Sequence, residues 1–158
     1  MEKTPGTEFA APQRTPPNII QIETAKISQD EILQMVLKAT PNVFLVLNPN
    51  RQIILANRAL GDLLDVNPLE KLYGLRPGEA LDCIHSTEHL SGCGTSKFCS
   101  TCGAIRAILT ALDGIADVGE CHIQQRHSGN TLEFRVFATP FTFESGQYIF
   151  VVLNDISS

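Results

Sequence analysis

The chain has 158 residues, 43% of them apolar, and a formal net charge of −5. That is enough for one domain with one core, and the scattered lysines and arginines form no basic stripe of the kind that binds nucleic acid. No stretch approaches the roughly 20 apolar residues that cross a bilayer, and the N-terminus lacks a basic segment followed by an apolar one, so a soluble, cytoplasmic protein without a membrane partner is expected.

Residues 1–27 carry Pro5, Pro12, Pro16 and Pro17 near the start, and are read as a flexible tail ahead of a domain over residues 28–158. Ser28-Gln-Asp-Glu31 has the form of a capping box and opens a predicted helix over 29–39, which Pro41 stops. Its apolar positions Ile32, Leu33, Val36 and Leu37 share a face, suited either to core packing or to a dimer seam. Val43-Phe-Leu-Val-Leu47 and Gln52-Ile-Ile-Leu-Ala56 read as two strands of a hairpin around the turn Asn48-Pro-Asn-Arg51. Asn57 is a predicted cap for a short helix to about Leu64.

From Asp65 to Thr101 the apolar period is lost, in a stretch too long for an idle loop in so small a domain. A helix over 104–113 follows, with Ile105, Ile108, Leu109 and Leu112 at helical spacing and Gly114 at its end. Three strands, about 118–126, 132–143 and 148–153, close the chain. They are joined by His127-Ser-Gly-Asn130 and Glu144-Ser-Gly-Gln147, where glycine is expected to take the positive φ.

Several residues in this order resemble the PAS family of sensory domains. The hairpin from Val43 to Asn57, with its Asn-rich turn and a strand ending in Asn, is similar to the opening of that family. Tyr148-Ile-Phe-Val-Val-Leu-Asn-Asp155-Ile156 is similar to its closing strand and Asp-Ile terminus. The resemblance implies an α+β fold: a five-stranded antiparallel sheet in the order 2-1-5-4-3, helices over one face, and an N-terminal amphipathic helix. It also implies a module that senses a ligand, redox state or partner and signals through dimerisation. A homodimer through the N-terminal helix, and an output partner or domain outside this sequence, are the expected partners.

The departure from the family pattern is the cysteine-rich segment 74–103, with the spacing C-x-H-x7-C-x5-C-x2-C over Cys83, His85, Cys93, Cys99 and Cys102. An odd total of five cysteines without a secretory signal argues against a disulfide framework and toward metal or redox chemistry. Four soft thiolates with a nearby imidazole suit an iron–sulfur cluster, the preferred reading, or zinc. His85 is the optional ligand. Cys99 and Cys102 precede a helix whose dipole favours thiolate, and Gly92, Gly94 and Gly103 are expected to let backbone amides approach sulfur. Cys121 alternates with Ile123 on a strand and reads as a core thiol. Arg76 and Glu79, flanking Pro77-Gly78, read as a local pair or cap.

The functional expectation is a signalling module reading redox state, oxygen or metal supply through a Cys-ligated centre. The alternatives are an interaction module with structural zinc, and a haem- or small-ligand-binding PAS pocket. Nucleotide loops, Gly-x-Ser-x-Gly and His-Glu-x-x-His are all missing from the sequence, so no enzyme is expected.

Overall fold

The computed structural model describes residue 7 and residues 9–157. Five strands form one antiparallel sheet: β1 (Val43–Leu47), β2 (Ile53–Ala56), β3 (Asp117–Gln124), β4 (Thr131–Phe143) and β5 (Gly146–Asp155). Their spatial order is β2-β1-β5-β4-β3, the order the resemblance implied. β1 lies between β2 and β5, with Leu45 opposite both Ala56 and Val151.

Alternation along the strands sends side chains into two cores. Val43, Leu45 and Leu47 of β1, with Ile149, Val151 and Leu153 of β5, face the inner core. It is covered by the helices α3 (Arg58–Leu64), α4 (Pro77–Ala80) and α5 (Gly103–Leu112), along with the irregular segment between α3 and α5. The intervening residues Phe44, Val46, Tyr148 and Phe150 belong to a second core on the opposite face. Because both faces are covered there, β2 is buried at every position and reads as a continuous apolar run.

The second cover is the main departure from the sequence expectation. Residues 17–27 of the expected flexible tail, with Ser28, form the helix α1 (Pro17–Ser28). Pro17 sits in its first turn, where a missing N–H costs nothing and the fixed φ suits a helix start. Ile20 and Ile27, two turns apart, are both buried against the sheet, each worth roughly 1.5–3 kcal/mol of burial. The Thr24 hydroxyl adds a hydrogen bond to the Ile54 carbonyl at 2.7 Å. Pro5 lies outside the described residues.

The capping box is also displaced. Ser28 ends α1 and its hydroxyl donates to the Ala25 carbonyl, while Asp30 caps α2 (Glu31–Lys38) by accepting the Leu33 amide at 2.8 Å. On α2, Leu33 and Leu37 turn inward, but Ile32 is 75% and Met35 71% exposed. Asn57 stands at the N-cap of α3, but its side chain makes no capping bond there. Its side chain ties β1 instead, accepting from the Phe44 amide and donating to the Asn42 carbonyl. In the turn between β4 and β5 the positive φ falls on Glu144 and Ser145, not on glycine, the pattern of a two-residue hairpin turn.

Candidate functional site

Between α3 and α5 the chain takes short turns, Leu69–Leu72, Ile84–Thr87 and Lys97–Thr101, around α4. No continuous apolar face orders this segment, and a buried guanidinium takes over that task. Arg76 is fully buried and donates to the carbonyls of Asn50 (3.0 Å), Ser91 (2.9 Å) and Gln13 (2.7 Å). One side chain thus joins the β1–β2 turn, the cysteine segment and the N-terminal residues. Its pKa falls to about 10 because burial and the nearby Arg51 and Arg14 disfavour the charge. Of the expected pair or cap, Arg76 and Glu79 form the cap: Glu79 accepts the amides of Arg76 (3.0 Å) and Cys93 (3.1 Å), and ion-pairs with Arg14.

The residues ahead of α1 form a strap over this segment. The Ala10 amide donates to the Gly94 carbonyl at 2.9 Å, and Ala10 packs against Cys99 and Ile105. Arg51 donates through Nη2 to the carbonyls of Ala11 (2.9 Å) and Cys93 (3.3 Å). Arg51 takes a positive φ at the end of its turn and is 97% buried, with 3% of its surface exposed.

Beneath the segment, α5 and the inner face of the sheet enclose a cavity of about 290 Å³ lined by all five cysteines of the chain. Cys83 comes in just before Ile84–Thr87 and bridges to Gln125 beside β3. The Cys93 sulfur accepts the Gly78 amide at 3.3 Å, and a Cβ on Gly78 would lie 2.6 Å from that sulfur, so only glycine fits there. Cys99 sits within Lys97–Thr101, Cys102 at the N-cap of α5, and Cys121 on the inward side of β3. His85 also lines the cavity; its Nδ1 is 2.6 Å from Glu88 and its ring stacks on Phe98. The remaining wall is largely apolar, including Ile105, Ile108, Val136 and Val151, with Ser86, Thr101, Glu120 and His122 as polar members, while Arg51 supplies a cation.

Two expectations about this chemistry change. Burial pushes Cys93 and Cys121 up to about 12 and is also the main cause that raises Cys83 and Cys99. These four free thiols are therefore neutral, and a cation bound beside them is what would favour their thiolates. The glycines divide their roles. Gly94 gives its amide to Cys99, but a Cβ on Gly103 would collide with the backbone of Glu120, so Gly103 lets α5 lie directly on β3.

Sulfurs bound to one tetrahedral zinc at about 2.3 Å lie within about 4 Å of one another. Among the described residues no three His, Cys, Asp or Glu side chains converge in that way. The thiols instead surround a volume. Cys83, Cys93, Cys99 and Cys102 are the residues that would hold a metal centre there, and an iron–sulfur cluster bound by them would supply one-electron chemistry.

The sheet order and its helical cover are the PAS fold. Among solved structures the chain is similar to the PAS domain of an HTR-like protein from Haloarcula marismortui, with 16% identity, a TM-score of 0.53, and coverage of 82% of this chain and 99% of that one. It is also similar to the PAS domain of nitrogen regulation protein NR(II) from Vibrio parahaemolyticus, with 15% identity, a TM-score of 0.54, and coverage of 80% and 100%. A third similar structure is the PAS domain of BvgS from Bordetella pertussis, at 13% identity, a TM-score of 0.50, and coverage of 81% and 85%. No family model matches the chain, and no curated protein matches it in sequence. No helix among the described residues is long and apolar enough to cross a membrane.

Proposed function

We propose that the chain is a sensory signalling module in which Cys83, Cys93, Cys99 and Cys102 hold a redox-active metal centre, an iron–sulfur cluster, with His85 as an auxiliary ligand. The observation that carries this reading is the cavity, which gathers cysteines far apart in sequence into one apolar chamber. Cys121 forms part of its wall.

The path from this centre to the surface runs through the strap. Loading or loss of the centre changes the order of segment 74–103, whose Ser91, Cys93 and Gly94 carbonyls share donors or hydrogen bonds with residues 10–13. The strap leads directly into α1 and α2, where Ile32 and Met35 form an exposed surface for a second copy of the chain.

The test is anaerobic purification followed by an absorbance spectrum and elemental analysis for iron, zinc and acid-labile sulfide. Iron and sulfide are expected together, lost in Cys99→Ser with Cys102→Ser and kept in Cys121→Ser. A folded, colourless and metal-free chain overturns the reading. Equal metal loss from the Cys121 variant overturns the ligand assignment, and zinc without sulfide points to a structural staple.

A further inference from the structure

Arg51 has a role that its turn position does not explain. Its Nε is the one buried side-chain nitrogen or oxygen among the described residues without a hydrogen-bond partner. The guanidinium lies across Gly94, such that a Cβ there would stand 3.3 Å from both Nε and Nη2. This places the unpartnered N–H at the wall of the cysteine-lined cavity, next to the residue that follows Cys93.

A buried cation ordinarily has an anion opposite it, and a buried N–H ordinarily has an acceptor. Neither contacts the Arg51 Nε. Its Nη2 contacts are both to neutral carbonyls, of Ala11 and Cys93. The carboxylates nearby are committed elsewhere: Glu79 binds Arg14 and two backbone amides, and Glu120 at the cavity wall pairs with Arg135. Arg51 and the Gly94 it lies across both line the cavity, so Nε borders it.

We infer that Arg51 is the charge partner of an anionic centre in this cavity, its Nε–H donating to a sulfur of the thiolate-ligated cluster. The inference rests on the functional reading above and adds the sign of the charge the cavity is built to hold. Arg51 is a positioning and potential-setting residue, not a ligand. Reduction adds one electron, supplied by the titrant, and so one negative charge to the centre. A neighbouring cation and donor stabilise that reduced form more than the oxidised one.

The test compares the anaerobically purified chain with Arg51→Lys and Arg51→Gln by reductive titration followed in the visible spectrum, with folding checked by circular dichroism. The lysine variant keeps the charge but lacks the Nε–H, so it remains informative if the glutamine variant does not fold. Arg58→Gln is the control, since it removes an exposed cation that does not line the cavity. The expected result is a shift of at least about tenfold toward the oxidised form for Arg51→Lys, about 59 mV for one electron, with a larger shift or lost loading for Arg51→Gln and none for Arg58→Gln. An unchanged potential in a folded, loaded Arg51 variant overturns the inference alone, as does an equal shift in the control. An unaltered chain with no redox-active centre overturns the functional reading together with it.

Discussion

Arg76→Lys perturbs the hub that orders the cysteine segment while keeping its charge. The guanidinium spreads four bonds over three directions, to Asn50 through Nε, Ser91 through Nη1, and Gln13 and Ala11 through Nη2. A lysine ammonium is a single point at the end of one stem and reaches only part of that fan. One or two charge-assisted bonds are lost, at about 1.5–3 kcal/mol each, for a cost of about 2–5 kcal/mol. Set against a typical stability of roughly 5–15 kcal/mol, the variant folds with a thin margin. At this chain length the melting temperature falls by roughly 5–15 °C. Circular dichroism is the suitable probe, because the chain has no tryptophan. The strap should also loosen, since Gln13 loses its donor, and trypsin should then cleave after Arg14 faster than in the unaltered chain. A melting temperature within about 2 °C of the unaltered chain, together with an unchanged cleavage rate, would refute the assignment of Arg76 as the organiser.

Glu79 carries a pH dependence of definite sign. Burial pushes its carboxyl up, but the hydrogen bonds from Arg14 and from the amides of Arg76 and Cys93 outweigh this, and its pKa lies below the usual value of 4.5. Its contribution is therefore present above that usual value and lost as pH falls through the lower folded one. Urea midpoints measured from about pH 7 to about pH 3 should show Glu79→Gln less stable than the unaltered chain near neutrality, with the gap closing in acid. A constant gap would contradict the assignment. At the surface, Ile32→Lys with Met35→Lys removes the exposed apolar pair of α2. Sedimentation should show weakened self-association with folding intact, and an unchanged or monomeric baseline in the unaltered chain would remove α2 as the contact.

The strands and α5 were legible because their signals are local. The apolar, β-favouring run over Val43–Leu47 and the spacing of Ile105, Ile108 and Leu112 depend only on neighbours within two turns or one strand. α1 was not legible, because Pro16 and Pro17 also suit a tail. Ile20 and Ile27 become a packing stripe only against an outer sheet face that the chain assembles later. Asp30 displaced Ser28 as the cap for a related reason: Ser28 was already the last residue of α1.

The cysteine segment was evident from its spacing, from which Cys83, Cys93, Cys99 and Cys102 were expected to act together, and folding brings all four to the wall of one cavity. Spacing does not determine how far apart four sulfurs stand, or what lines the space between them. Those follow from Gly78 admitting Cys93, from Gly103 seating α5 on β3, and from the inner sheet face forming the floor. The burial of Arg51 and Arg76 belongs to the same category. Arginine is usually exposed, and only the meeting of the N-terminal strap, the β1–β2 turn and the cysteine segment takes these two out of water. Residues close in sequence report on periodicity, whereas the charge and volume of a cavity arise from groups that come together only on folding.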